Sequence, residues 1–357
     1  MRRARSRFRG PALVAACLAA AVSAGGLAPA YATSGASRAS GLDHCTGTAP
    51  MTCHFDVAPG QYDVRVTLGG AEAGSTSISG EARRALLAET PTVAGRTVHR
   101  SFTVDVRTPE GEPTGPTGTE GLDLTFAGSA PLLASIQIKK ARATTPRVFL
   151  LGDSTVCDQA VDPYTGWGQE LPQFLKRGVS VANYADSGES SVTYLQNPAL
   201  FPTVEPQLHR GDLALIQLAH NDKTTDAATY RANLKTLVDR VRARGARPVL
   251  VTPIVRRWFN ADGTLNNDTA LLVNGLGVNH PVVVRELATT ERVPLIDLTA
   301  LTKARVEELG PEASKALYLY DEKRDNTHTS VRGATEFAQF VRNELREQGL
   351  LQAELVR

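Results

Sequence analysis

The chain is poor in cysteine, methionine and tryptophan, with four, two and two residues in 357. So little cysteine excludes a small scaffold held mainly by disulfides. It also lacks charge of one sign, since 39 basic residues face 37 acidic ones. No basic block or aromatic-studded basic stripe occurs after the first ten residues, which removes the footprint of a nucleic-acid binder. No stretch beyond residue 32 approaches the roughly 20 apolar residues of a membrane-spanning helix. The Asp and Asn residues from Asn260 to Asp268 show no coherent ligand spacing, so they read as a loop. Neither a metal nor an organic cofactor is expected. What remains is ordinary globular material, 42% apolar and far too hydrophobic for disorder.

The first 32 residues differ from the rest. Arg2, Arg3, Arg5, Arg7 and Arg9 precede an apolar run from Pro11 to Leu27, which ends in the small residues of Ala30-Tyr31-Ala32. This layout predicts a secretory signal peptide, residues 1–32, cleaved near Ala32, and a soluble extracellular protein with no membrane attachment after cleavage. The paired arginines leave the export route open. A lipoprotein reading at Val14-Ala15-Ala16-Cys17 leaves little apolar sequence before the cysteine. Removing the segment takes away five arginines and no acid, so 34 basic residues face 37 acidic ones and the charge becomes −3. In the exported portion Cys45 and Cys53 are close enough in sequence to form a disulfide. Cys157 is left unpaired and reads as a small buried apolar residue in a helix.

Residues 33–52 read as a flexible start. From Cys53 to about residue 143 the texture is short β segments, at Tyr62–Leu68, Thr97–Val106, Leu122–Phe126 and Ile136–Ile138, separated by turn-rich pieces. Such a run without helices predicts a small β-sandwich ending near Thr144-Thr145-Pro146. From 146 to about 350 apolar strands at Val148–Leu151, Val179–Val181, Leu213–Leu218, Val249–Thr252 and Pro294–Asp297 alternate with amphipathic helices. One helix aligns Tyr230, Leu234, Leu237, Val238 and Val241, and a last one spans about Gly333–Gln348. This alternation predicts an α/β fold, a parallel sheet covered on both faces, with functional groups at the carboxyl ends of its strands.

Chemistry is concentrated at those ends. Val148-Phe149-Leu150-Leu151 runs into Gly152-Asp153-Ser154-Thr155, which places Ser154 between a strand and an expected helix, where free N–H groups favour negative charge. A serine there is equally an ordinary helix N-cap. The Gly-x-Ser-x-Gly elbow is absent. Far downstream, Asp325-Asn326-Thr327-His328 can supply a base and its orienting carboxylate from one loop. By itself it is also a plain solvated turn. Two further loops offer oxyanion donors: Gly188 in Asn183–Ser190, and the Asn221 amide in Ala219-His220-Asn221-Asp222. His220 beside it either orients the loop or touches substrate. Trp167 and Trp258 read as core residues rather than a sugar-stacking wall.

Gly152-Asp153-Ser154, Gly188, Asn221 and Asp325-x-x-His328 resemble the four blocks of the SGNH (GDSL-type) hydrolases over about residues 146–348. Gly-Asp-Ser-Thr, His-Asn-Asp and Asp-x-Thr-His-Thr-Ser are similar to the rhamnogalacturonan acetylesterase branch. The resemblance implies a three-layer α/β/α hydrolase with a flavodoxin-like sheet, preceded by a galactose-binding-like sandwich. It implies a triad of Ser154, Asp325 and His328, with the Ser154 N–H, the Gly188 N–H and the Asn221 side chain as oxyanion donors. One departure stands out: the family usually has glycine where Ala219 stands, and an extra methyl there is expected to tighten the turn or shift Asn221. The implied activity is a secreted serine esterase that removes O-acetyl or short acyl groups from acetylated plant cell-wall polysaccharide, pectin in particular, acting as a monomer. A lipase of small esters, and a carbohydrate-binding protein disabled by Ala219, are the competing readings.

Overall fold

The alternating segments of the first half form two antiparallel sheets because each strand has one apolar face. In the computed structural model, which describes residues 41–115 and 118–357, the strands of this half are β1 (Cys45–Gly47), β2 (Met51–Phe55), β3 (Gly60–Gly70), β4 (Gly74–Gly80), β5 (Arg84–Thr92), β6 (Arg96–Val106), β7 (Leu122–Ala130) and β8 (Leu133–Lys140). One sheet has the order β1-β2-β7-β4-β5 and the other β6-β3-β8. Tyr62, Val64, Val66 and Leu68 of β3 point to one side and meet Ile78, Leu86, Leu124 and Phe126 of the other sheet in a common core. Strands β4 and β5 escape the hydrophobic pattern, since β4 is Gly-Ser-Thr-Ser-Ile-Ser-Gly with one large apolar residue.

The expected signal segment lies outside the described residues. Within the stretch expected to be flexible, residues 42–52 are built into the sheet instead. A 3-10 turn spans Leu42–His44, β1 pairs with β2, and a disulfide joins Cys45 to Cys53 across that hairpin. Pairing of β2 with β7 extends the first sheet over this stretch and leaves Cys53 buried.

The second half holds five parallel strands, β9 (Arg147–Gly152), β10 (Ser180–Asn183), β11 (Leu213–Gln217), β12 (Arg247–Val251) and β13 (Leu295–Ile296), in the order β10-β9-β11-β12-β13. Alternate residues of β9 enter opposite layers. Val148 and Leu150 pack with Val306 and with Phe337 and Val341 of the helix Val331–Glu347, whereas Phe149 and Leu151 pack with Leu234, Leu237 and Val241 of the helix Ala227–Ala243. The near-continuous apolar strands of the sequence are therefore strands buried on both faces. Trp167 is buried and donates from Nε1 to Gln217 Oε1 at 3.0 Å, but Trp258, expected in the core, is 46% exposed.

The halves keep separate apolar cores yet belong to one compact unit. A buried polar cluster lies at their contact. Asp158 accepts from Arg84 Nε at 2.9 Å, lies 3.3 Å from Arg107 Nη2, and accepts from Asn183 Nδ2 at 2.8 Å, with both guanidiniums almost wholly buried. Buried guanidinium and carboxylate groups persist only when paired in this manner.

Candidate active site

The chain leaves β9 through Gly152, where a Cβ would approach Val156 Cγ2 to 2.7 Å and Gln217 O to 3.0 Å, so only glycine lets the turn pack against β11. The expected helix after Ser154 does not form. Residues 154–157 make a single turn in which the N–H groups of Val156 and Cys157 both donate to Asp153 O, at 2.9 and 3.1 Å, and the next helix begins at Trp167. The Asp153 side chain fixes this turn by accepting from Thr155 N and Thr155 Oγ1 at 3.0 and 2.7 Å. Local backbone amides, rather than a helix dipole, thus surround Ser154. Cys157 is buried against the turn, and burial pushes its thiol well above its ordinary pKa, which suits the inert role read from sequence.

The loop after the 3-10 turn Ser314–Leu317 brings the distant histidine to the serine. A Tyr318–Thr329 bridge and the Leu319 N–H to His328 O bond at 3.0 Å close this loop, and Thr329 Oγ1 donates to Thr165 O at 2.6 Å. His328 Nε2 then lies 2.9 Å from Ser154 Oγ, and His328 Nδ1 lies 2.7 Å from Asp325 Oδ2. Asp325 Oδ1 accepts from the Thr327 and His328 N–H groups at 2.7 and 3.0 Å. Burial would raise the Asp325 carboxyl, but the bonds from His328 and the two backbone amides outweigh it and hold it at about 2. A carboxylate this firmly ionised requires the proton on Nδ1, leaving the Nε2 lone pair facing the serine hydroxyl.

The two proposed oxyanion loops are tied together. Asn221 Nδ2 donates to Glu189 O at 3.1 Å, next to Gly188, and its second N–H stays available. Gly188 has φ of 83°, a left-handed conformation that glycine adopts without strain, and nothing lies within 4 Å of where its Cβ would be. His220 is buried, and its Nδ1 lies 3.2 Å from Asp153 Oδ2. This contact joins the residue before Ser154 to the residue before Asn221. Burial opposes the Asp153 charge, but His220 and the Thr155 bonds hold the carboxyl at about 2. Ala219 is not among the positive-φ residues, its O accepts from Asp222 N at 3.0 Å, and its methyl is buried in the core.

Contacts from the β-rich half were not foreseen. Glu112 Oε2 accepts from Ser187 N at 2.9 Å, Thr114 N donates to Asp186 Oδ1 at 3.1 Å, and Thr114 Oγ1 donates to the other Asp186 oxygen. Asp186 and Ser187 are the two residues that lead into Gly188. Nothing in the spacing of Glu112-Pro113-Thr114 announces this role, because the contact spans more than 70 residues. Arg256, just beyond β12, was also passed over, although its place after a parallel strand could have marked it. Among the described residues no group of three or more His, Cys, Asp or Glu side chains is placed to hold a metal ion.

A GDSL-like lipase/acylhydrolase family model matches residues 150–335. The chain is 37% identical over 220 residues to the rhamnogalacturonan acetylesterase RhgT of Bacillus subtilis, covering 57% of this chain and 91% of that protein. It is 31% identical to the probable rhamnogalacturonan acetylesterase YesY of the same bacterium, over 57% of this chain and 94% of YesY. The crystal structure of B. subtilis YxiM superposes with a TM-score of 0.53 at 25% identity, covering 84% of this chain and 81% of that one. The fold, the serine-histidine-aspartate contact and the match across half the sequence agree: the chain belongs to the GDSL-like lipase/acylhydrolase family and is a carboxylic ester hydrolase.

Proposed function

We propose that the protein is exported and removes O-acetyl groups from plant cell-wall polysaccharide, rhamnogalacturonan in particular, through an acyl-serine intermediate. The observation that carries the chemistry is the 2.9 Å contact between Ser154 Oγ and His328 Nε2, continued at 2.7 Å to Asp325. Ser154 Oγ attacks the acyl carbon while its proton passes to His328 Nε2, and Asp325 steadies the imidazolium. The oxyanion is met by the N–H groups of Ser154 and Gly188 and by the free amide hydrogen of Asn221. As the C–O bond breaks, the leaving sugar oxygen takes the proton from His328. Water then repeats the sequence: it loses a proton to His328, attacks the acyl carbon, and frees acetate and Ser154.

The polysaccharide is supported by the relatives, two of which carry rhamnogalacturonan acetylesterase names at 37% and 31% identity. Export is supported by the arginine-led apolar segment of residues 1–32 and by the Cys45–Cys53 disulfide. The test is acetate release from acetylated rhamnogalacturonan, acetylated xylan and 4-nitrophenyl acetate by residues 33–357, with Ser154→Ala alongside. Rhamnogalacturonan should be the best polymer, and release should vanish in the variant. Preference for long-chain nitrophenyl esters over acetate would overturn the polysaccharide assignment, and undiminished release by Ser154→Ala would overturn the mechanism.

A further inference from the structure

The two tryptophans stand in opposite surroundings. Trp167 is 1% exposed and bonded to Gln217, whereas Trp258 is 46% exposed and its indole N–H has no partner among the described residues. The backbone of Trp258 is nonetheless fixed. Its N–H donates to Arg256 O and its carbonyl accepts from Asn266 N, both at 2.9 Å, and Phe259 bridges to Leu265 directly after it. The two residues before it reach both sides of the catalytic centre. Arg256 Nη2 donates to His220 O at 3.0 Å, next to Asn221, while Arg257 N and Nη1 donate to Asn326 O and Oδ1 at 2.7 and 2.9 Å, between Asp325 and His328. Trp258 thus follows a segment that ties the oxyanion loop to the triad loop. Arg257 itself is turned inward: it is 7% exposed, donates from Nε to Ser314 Oγ at 3.1 Å, and lies over the Tyr320 ring at 4.5 Å. Of the six large apolar side chains left exposed among the described residues, only Val93 lies in the β-rich half; Val161, Trp258, Leu276, Val282 and Val331 belong to the loops after Ser154 and β12 or to the first turns of the helices that follow the β12 and triad loops. Single exposed apolar residues are ordinary, but their concentration around one site marks a contact surface.

We propose that Trp258 is the platform on which a sugar ring of the substrate chain stacks, held by its C–H face and not by its charge. The inference rests on the polysaccharide-esterase reading and adds the residue that favours a sugar chain over a small ester. The indole offers a broad apolar face to the C–H groups of a pyranose, and its N–H donates to a ring hydroxyl, the partner it lacks within the protein. With the Arg257 guanidinium turned inward, the platform reads the shape of the ring. Because the backbone is already fixed on both sides of Trp258, stacking orders little more than the ring itself. The contact lies away from the reacting carbon and is the same before and during acyl transfer, so it lowers KM and leaves kcat nearly alone. Truncating an aromatic that carries such a contact weakens binding by about tenfold.

The experiment measures kcat and KM of the full exported chain, Trp258→Ala and Trp258→Phe on three substrates: an acetylated rhamnogalacturonan oligosaccharide, the same oligosaccharide with its carboxyl groups reduced to alcohols, and 4-nitrophenyl acetate. Trp258→Ala should raise KM about tenfold on both oligosaccharides, by the same factor with and without the carboxyl groups, and far less on nitrophenyl acetate. Trp258→Phe keeps an aromatic face and should recover most of the loss. In parallel, indole fluorescence of Ser154→Ala is followed as either oligosaccharide is added, with and without Trp258→Phe, which leaves the buried Trp167 as the sole indole. Emission should shift in the first protein and stay constant in the second. A shift that depends on Trp258 supports the platform even where no polysaccharide ester is cleaved, an outcome that would sink only the reading of the previous section. Equal KM in the parent and Trp258→Ala, an effect as large on nitrophenyl acetate, an effect that vanishes with the carboxyl groups, or emission unmoved by the oligosaccharides overturns the platform while leaving the esterase reading standing.

Discussion

Glu112, from the loop after β6, accepts a 2.9 Å hydrogen bond from the backbone N–H of Ser187, one residue before Gly188. Together with Thr114 and Asp186 it fixes the loop whose amide is proposed to meet the oxyanion. Glu112→Ala combined with Thr114→Val should therefore lower kcat about tenfold through a misdirected donor, with a much smaller change in KM. Glu112→Gln keeps an acceptor oxygen and should restore most of the loss. A matched rise in KM, or no recovery with glutamine, would point to general loosening instead. Steady-state kinetics on 4-nitrophenyl acetate decide it.

Ser154→Ala and His328→Ala should each reduce kcat by about 10⁴-fold or more, while Asp325→Asn should retain more activity because that residue orients rather than transfers the proton. Ser154→Ala removes one small hydroxyl and should leave Tm nearly unchanged. Rates comparable among the three variants and the parent would refute the assigned roles.

Acid should destabilise the protein in a defined window. Asp153 and Asp325 are held at about 2 in the folded state, below their ordinary value of 3.8. A carboxylate with a depressed folded pKa contributes stability that is complete above the unfolded value and is lost as pH falls to the folded one. Tm should accordingly fall between about pH 4 and pH 2, and Asp325→Asn should flatten part of that slope. An unaltered slope in the variant would show that other groups control acid unfolding.

Glu81 has the opposite sign. Burial beside the polar contact between the halves pushes its carboxyl up to about 9 from 4.5. A carboxyl raised by folding is most favourable below the unfolded value and costs stability as pH rises from about 4.5 towards 9. Glu81→Gln should therefore stabilise the protein by on the order of 2 kcal/mol at pH 8 and by much less at pH 5. Thermal unfolding at both pH values checks it, and a gain independent of pH would rule out the ionisation as its source.

The sequence showed the parallel sheet plainly, because strands such as Val148–Leu151 are apolar without interruption and one helix spaces Tyr230, Leu234, Leu237 and Val241 along a single face. Ser154, Asp325 and His328 were legible from their positions beside those strands and in one tight loop. Strand β4 was not, since its small polar residues bury little side chain and its place is set by pairing with β5 and β7. The turn after Ser154 read as a helix because an apolar strand followed by Ser-Thr is also what precedes a helix; the Asp153 carbonyl instead gathers two amides and ends the winding there. Glu112 and the Asp153–His220 contact depend on tertiary neighbours and have no local signature.

The buried cluster around Asp158 bears on how such a protein is inherited and re-engineered. Cutting at residue 146 would strip Asp158 of Arg84 and Arg107 and at the same time open to water the side of the carboxylate that they cover, with Asn183 left in place. Within the intact chain the same pairs act differently: a substitution that removes Arg84 alone leaves the carboxylate buried and short of a partner, a loss of up to about 3–5 kcal/mol. The two halves are therefore tied through three side chains, and Arg84, Arg107 and Asp158 are constrained to change together for as long as the halves stay joined.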